Sequence, residues 1–427
     1  MTPHSKTRVL VFPGEAENAF ELFQALRYST RFEVWGASSR PGYGSWLFPR
    51  YRDDLPQIDE ENFLMEFNRF IGDHQISLVF ATHDQVALFL AEQSSALKAT
   101  LVGSGVECAR LCRDKSLLYT TLAGEAFCPR TYAHPQAVEQ WPVFIKPSRG
   151  QGGVGGARAN DLQTLLRLWS QTSEPVVSEY LPGEEFTIDC FSDRHGRLLF
   201  AGPRSRDVVK MGIAFESRTV ALDAATQHIA EVINAKLKPR GLWFFQTKRS
   251  HTGALKLLEV SCRAAGTMGV YRQQGVNLPL LAAYDALGLD VRVLKNEFPV
   301  SLRRRLLSSY KIDHSFSTVY VDYDDTVIVD GEVNAALMQF LYTCRNRNKK
   351  LVLISRHAGD LKAHMRAFRV FPELFDQIHH IADAEKKSDY VTESSAILID
   401  NLFVEREEVL ARTGVPVFDV DAIEGLL

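Results

Sequence analysis

The sequence predicts a multidomain chain of mixed α/β and α+β architecture. Three observations lead there. Apolar strand runs alternate with helical stretches over residues 8–93, a glycine-rich loop interrupts strand-rich text over residues 141–266, and a second alternation begins at residue 317. The 427 residues, 45% hydrophobic and 24% charged, can fill several cores.

The elements follow in order. RVLVF (8–12) reads as a buried strand, and Ala19, Leu22, Phe23 and Leu26 mark the helix after it. FEVWGASS (32–39) and SLVFAT (77–82) are further strands, the latter leading into the helical DQVALFLAEQ. This alternation predicts a parallel, helix-covered sheet. Gly14 is the only glycine of the first strand–helix turn, so a dinucleotide fingerprint is absent. The texture changes at Arg113. WPVFIKPSRGQGGVGGARA (141–159) is a strand, a lysine and a glycine loop; Leu162, Leu165, Leu166 and Trp169 then mark a helix capped by Asn160 or Asp161. Strand-rich segments fill 174–191, 241–250 and 253–266. Residues 300–316 read as a junction, with Arg303, Arg304 and Arg305 on a solvated helix face. Beyond it VYVD, LVLIS (351–355) and AILID (396–400) are buried strands. Val333, Ala336, Leu337, Phe340, Leu341 and Cys344 form a helix stripe between the first two.

A net charge of −3 gives no electrostatic reason to expect nucleic acid or an anionic membrane as partner. Six dispersed cysteines show no zinc spacing; Cys108 and Cys112, on one helix face, read as small buried hydrophobes. Free thiols, no signal pattern in MTPHSKTRVLVF and no apolar run near ~18 residues make the cytoplasm the expected compartment.

The chemistry starts at the glycine loop. Glycines let several backbone N–H groups approach phosphate oxygens, and Lys146, just before the loop, would neutralise a phosphate. Alone the loop reads equally as a flexible connection. Gln246 in GLWFFQTK and Glu259 in KLLEV lie on strands that would bring both to one face, an oxygen set suited to Mg²⁺ beside phosphates. Arg204, Arg206 and Lys210 in GPRSRDVVK either line an acceptor pocket or are surface charge.

RDKSLLYTTL, PVFIKPSRGQGGVGG, SEYLPGEEFTID, FFQTK, LLEVSCRAAG and QGVNLP occur in this order, and through them residues 1–300 resemble the ATP-grasp superfamily, in its biotin carboxylase and carbamoyl-phosphate synthetase branch. The resemblance implies an N-terminal pre-ATP-grasp α/β domain (1–112) and a two-lobed ATP-grasp domain (113–300), then a linker (301–316). It implies ATP held by Lys115 and Lys146, by the loop glycines Gly150, Gly152, Gly153, Gly155 and Gly156, by backbone from Glu179 to Leu181, and by Glu185 at the ribose. Gln246 and Glu259 would bind Mg²⁺, or Mn²⁺ in its place, and Arg263 would steady the transferring phosphoryl group or the substrate carboxylate. Ser261 stands where the family has a metal-binding Asn, which puts the second metal in doubt.

VYVDYDDTVIVDG (319–331) sets Asp322 and Asp324 at a strand end. Two carboxylates about 4 Å apart repel by about 4 kcal/mol at an effective dielectric near 20, so they read as a metal site or a split acid–base pair. With Thr326, Ser355, Lys386 or Lys387, Asp400, Asn401 and Glu405, residues 317–427 resemble the haloacid dehalogenase superfamily in a capless, Rossmann-like form. The resemblance implies Asp322 as nucleophile, Asp324 as acid and base, Mg²⁺ between Asp322, Asp324 and Asp400, and Ser355 and the lysine on the phosphoryl oxygens. The whole therefore reads as a carboxylate–amine ligase forming ADP and phosphate, fused to a phosphatase. One silent half, or a nucleotide-sensing protein without turnover, are the alternatives. Expected partners are a small carboxylate, an amine and a phosphorylated small molecule; a homodimer is left open.

Overall fold

The structure is a computed structural model that describes residues 6–150 and 153–426. Gly152, assigned above to the loop, lies outside the described residues. The chain divides into two compact units, Met1–Arg305 and Leu306–Leu427.

The first unit opens with a five-stranded parallel sheet in the order Tyr51–Arg52, Phe32–Ala37, Thr7–Phe12, Ile76–Ala81, Thr100–Leu101. Val9, Leu10, Val11 and Phe12 are all fully buried, as expected for a parallel strand covered on both faces. Phe12 meets Phe63 and Phe67 with ring centroids 5.7 and 5.0 Å apart, fastening the Phe63–Asp73 helix to the sheet.

Two antiparallel sheets follow. The smaller has the order Thr131–Tyr132, Pro175–Glu179, Val143–Pro147, Ala157–Ala159. It packs on the helix Leu162–Gln171, whose cap is Asp161, accepting from Thr164 N at 2.7 Å. The larger has the order Leu198–Ser205, Glu185–Ser192, Gly241–Arg249, Leu255–Ser261. Trp243, Phe245, Leu257 and Val260 face its apolar side, so the alternate residues Gln246 and Glu259 face the other.

Where a solvated helix is expected for Arg303–Arg305, Arg303 ends a strand instead, and Arg304 and Arg305 follow it outside any helix or strand. Ser301–Arg303 pairs with Ile213–Arg218 in a three-stranded sheet, and Arg304 pairs with Glu17 and donates to Gly266 O. The residues are only locally amphipathic, and a strand edge and a carboxylate distant in sequence outweigh helix propensity.

The second unit is a five-stranded parallel sheet in the order Gln377–His380, Lys350–Ser355, Thr318–Val321, Ala396–Ile399, Val417–Phe418. The central strands are buried throughout, with apolar clusters on both faces. Val333 falls in a two-residue strand just before the helix Ala335–Asn346, which buries Leu337, Phe340, Leu341 and Cys344. Among the described residues no helix is long and apolar enough to cross a membrane.

Phe67→Ala is expected to cost about 3–5 kcal/mol, the range for deleting a fully buried ring. Urea unfolding of the full chain measures it, and a loss below about 1 kcal/mol would contradict the packing described.

Candidate functional site

The first unit encloses a cavity of about 600 Å³. Its walls bring together most of the residues singled out above: Lys115, Lys146, Gly150, Gly153, Gly156, Glu179, Leu181, Glu185, Gln246, Glu259 and Arg263. Gly155 is not part of the lining. Its φ of +75° suits glycine, and an added Cβ would lie 2.9 Å from Pro147 Cγ.

Lys115 is the first residue of the helix Lys115–Thr121. Asp114 caps that helix, accepting from Ser116 N and Leu117 N at 3.0 and 3.1 Å and from Ser148 Oγ at 2.5 Å. The cap thereby ties the helix to the strand that carries Lys146. Burial opposes ionisation of Asp114, but the bonds from Ser148, Leu117 and Arg149 hold its carboxyl below the usual range. Lys115 Nζ donates to Gly150 O at 3.1 Å.

Lys146 Nζ donates to Tyr119 Oη at 2.8 Å and Leu258 O at 3.0 Å. Burial, then the like charge of Lys115, pushes its pKa down to about 7, against the pull of Glu259 and Glu185. Buried Lys115 and half-buried Lys146, with hydrogen bonds to neutral oxygens, make a cavity wall suited to an anion. Glu185 is paired with Arg206 at 2.6 Å and with Lys248 at 3.7 Å. Glu179 accepts from Arg130 N at 2.9 Å.

Gln246 and Glu259 are direct partners across neighbouring strands. The Gln246 amide fits two ways. With nitrogen toward Glu259 it donates to Oε1 at 3.3 Å and accepts from Arg206 Nη1 at 3.2 Å. Turned over, it sets its oxygen against Glu259 Oε1 at the same 3.3 Å, repulsive unless a cation lies between them. Neighbouring oxygens in an octahedral Mg²⁺ shell at ~2.1 Å are about 3 Å apart, so the donor pair fits that ion.

Ser261 lies elsewhere. It is buried, does not line the cavity, and donates to Asp84 Oδ1 at 2.6 Å. Arg263 Nε reaches Asp84 Oδ2 at 3.1 Å. Burial opposes ionisation of Asp84, and Arg263 and Ser261 outweigh it, holding the carboxyl low. Sequence reasoning missed Asp84; its one signal was its place just after the strand SLVFAT.

The second unit gathers its polar residues where three parallel strands end. Val321 is level with Leu353 and Ile399, which sets Asp322 beside Asp400 and near Ser355. Lys387 Nζ bridges Asp322 Oδ1 at 2.7 Å and Asp400 Oδ2 at 2.6 Å. Lys386 is exposed and takes no part, so Lys387 is the lysine of this cluster. Burial raises the pKa of Asp322 to about 6, the charge of Lys387 opposing and that of Asp400 adding. Burial lowers that of Lys387, but the two carboxylates outweigh it and the net shift is upward.

Asp324 turns the other way. Its Oδ1 lies 2.8 Å from His357 Nδ1, and its Oδ2 accepts from Ser355 Oγ at 3.4 Å. His357, two residues beyond Ser355, was missed because one histidine after a strand carries no pattern. Asn401 N donates to Thr326 Oγ1 at 3.2 Å, while Glu405 pairs with Arg356. Among the described residues no group of three or more His, Cys, Asp or Glu side chains is placed to hold a metal by itself. Two carboxylates that share one ammonium still leave an excess negative charge, which a hard cation beside oxygen ligands would balance.

Residues 171–305 match the family model described as ATP-grasp in the biosynthetic pathway with Ter operon. No curated protein matches the sequence. Solved structures similar in fold include three enzymes or enzyme domains. The biotin carboxylase domain of Hydrogenobacter thermophilus 2-oxoglutarate carboxylase, in complex with MgADP, ADP and bicarbonate, has 13% identity and a TM-score of 0.59, with 70% of this chain and 74% of that one covered. Staphylococcus aureus N5-carboxyaminoimidazole synthetase, complexed with ADP, has 14% identity and a TM-score of 0.59, with 71% and 83% covered. Bacillus licheniformis L-amino acid ligase has 17% identity and a TM-score of 0.52, with 67% and 75% covered. Over the compared part this chain has the biotin-carboxylase-like fold of ATP-grasp proteins.

A bound anion would favour charged Lys146 and raise its pKa. That contribution to affinity is complete below about pH 7 and is lost as pH rises toward the pKa of the complex. Nucleotide Kd, measured by calorimetry, is expected to rise up to about tenfold per pH unit above 7, with the slope abolished in Lys146→Met. An unchanged slope in that variant would show that another group titrates.

Proposed function

We propose that the chain is an ATP-dependent carboxylate ligase joined to a phosphohydrolase that acts on a related phosphorylated small molecule. The observation that carries the ligase reading is the convergence of Lys115, Lys146, Gln246, Glu259 and Arg263 on one cavity beside the glycine loop.

In this reading ATP lies in the cavity. Lys115 and Lys146 meet its phosphates, backbone from Glu179 to Leu181 its base, and Glu185, held by Arg206 and Lys248, its ribose. Mg²⁺, held by Glu259 and Gln246, would supply neutralisation of the phosphate charge. The substrate carboxylate takes the γ-phosphoryl group, giving an acyl phosphate and ADP. An amine then displaces phosphate and leaves an amide-like bond. The chain does no covalent work in this half; positioning and charge neutralisation lower the barrier. Arg263, fixed by Asp84, steadies the transferring group or the carboxylate.

In the second unit Asp322 attacks phosphorus and Asp324, steered by His357 and Ser355, delivers a proton to the leaving oxygen and then withdraws one from water. Lys387 and Ser355 hold phosphoryl oxygens. Mg²⁺ at Asp322, Asp324 and Asp400 would supply a further positive charge. The strand-end cluster around Lys387 supports this half, as does its likeness in motif order to haloacid dehalogenase phosphotransferases.

Ser261 favours one second reading. Its hydroxyl is given to Asp84, which leaves Glu259 the one carboxylate of the metal pair, so the first unit could bind nucleotide without turning it over.

Phosphorus NMR on the full chain with ATP, Mg²⁺ and a pool of amino acids and small carboxylates tests both halves. ADP is expected only with the pool, and Glu259→Gln should slow it at least about a hundredfold, the cost of losing a charged ligand in the transition state. Nucleotide-dependent stabilisation without ADP would instead leave the non-catalytic reading standing. Release of phosphate from p-nitrophenyl phosphate should vanish in Asp322→Asn while ADP formation is unchanged. Hydrolysis that survives Asp322→Asn would sink the phosphohydrolase half.

A further inference from the structure

One row of side chains crosses the sheet under the ATP-grasp cavity: Arg204, Gln246 and Glu259 line the cavity, and Thr187, fully buried, lies between Arg204 and Gln246. Arg204 is level with Thr187, Thr187 with Gln246, and Gln246 with Glu259, so four neighbouring strands each give one residue to the same face. The Glu259 end is the metal-binding pair already described. The opposite end holds two polar groups without a hydrogen-bond partner among the described residues.

Arg204 is 1% exposed and is paired with buried Asp189, Nε–Oδ2 at 2.7 Å and Nη2–Oδ1 at 3.3 Å. Its Nη1 has no hydrogen-bond partner among the described residues, although Arg204 borders the cavity. Thr187, level with it and fully buried, leaves its Oγ1 unpartnered as well. A buried polar group left without a bond costs about 1–3 kcal/mol, and here two such groups are direct cross-strand neighbours.

Their chemistry narrows the ligand. Nη1 only donates, and a threonine hydroxyl donates by rotation, so a group that satisfies both is an acceptor oxygen. Carboxylate and phosphate both offer one. Charge separates them: Asp189 already neutralises Arg204, so this end presents N–H and O–H dipoles without net charge. Lys115 and Lys146, whose charge is not matched in this way, suit the multiply charged phosphates.

We propose that Arg204 Nη1 and Thr187 Oγ1 form the subsite for a carboxylate oxygen of the ligase's acceptor substrate, apart from the phosphate-binding lysines. The proposal rests on the ligase reading and adds to it the residues that recognise the acceptor. Arg204 and Thr187 are binding residues; neither is assigned a step in phosphoryl transfer.

The test uses the full chain saturated with Mg²⁺ and the imido analogue of ATP, so that binding is read without turnover. Thermal denaturation is followed with acetate, L-alanine, succinate and L-glutamate, each up to about 50 mM. At least one is expected to stabilise the wild type. Thr187→Val, which removes a hydroxyl that bonds to nothing, should keep the melting temperature of the free protein and need about 3–10 times more of that carboxylate for the same shift. Arg204→Lys keeps the charge opposite Asp189 but loses the fork, and should need more than about ten times as much. The response to the nucleotide analogue should stay within about twofold in both variants.

A wild type unmoved by all four carboxylates would overturn the proposal. So would equal carboxylate response in Thr187→Val, which would leave Nη1 and Oγ1 to solvent. A weakened nucleotide response in that variant would assign the oxygen to phosphate and overturn it too. If Arg204→Lys fails to fold, Thr187→Val decides alone. Carboxylate binding lost in Thr187→Val but no ADP formation by the wild type would sink the ligase reading only; ADP formation with an unchanged carboxylate response would sink this proposal only.

Discussion

The register of the four-stranded antiparallel sheet in the first unit is the constraint on which the candidate ligase site depends. Side chains along a strand alternate between faces, so a slip of one residue would send Gln246 and Glu259 into the apolar layer and bring Phe245 and Val260 into the cavity. The apolar face holds the register in place. Trp243, Phe245, Leu257 and Val260 join a cluster with Cys108, Cys112 and the helix Ala224–Leu237, and they can be buried only in the observed alignment. The hydrophobic effect, which has no preference for any ligand, thereby places the polar row.

The second unit solves the same problem with parallel strands. Three apolar strands buried on both faces end at one level, and the first residues beyond their ends are the polar ones. Buried carboxylates without compensation would be protonated or would repel their neighbours apart. Lys387 makes Asp322 and Asp400 tolerable, and Asp324 escapes the crowding by turning to His357 and Ser355. The first unit inverts that electrostatic pattern: Lys115 is buried and Lys146 half-buried with hydrogen bonds to neutral oxygens, and burial, then the like charge of Lys115, drives Lys146 toward neutrality. One cluster leaves room for a cation and the other for an anion.

Much of this was legible from residue types and spacing. The strands at 8–12, 77–82 and 351–355, the stripe that ends at Cys344 and a helix cap at Asn160 or Asp161 follow from periodicity and local hydrogen bonding, which act over a few residues. Asp322 and Asp324 were visible because two acids at a strand end are costly without a purpose. His357, Asp84 and the unpartnered end of Arg204 were not, since each depends on a group distant in sequence: Asp324 for the first, Ser261 and Arg263 for the second, Asp189 and Thr187 for the third.

By itself, then, the sequence determined the alternation of strands and helices, the glycine loop beside Lys146, and the candidate acids. Those properties are local, set by backbone preference and by the period at which apolar residues recur. Only the tertiary structure decided that Lys387 and not Lys386 joins the aspartates, that Ser261 serves Asp84, that Ser301–Arg303 is a strand, and that Arg204 shares a row with Glu259. Each of these is a choice of partner across the fold, settled by which groups burial forces together and which charges can be left without a neighbour.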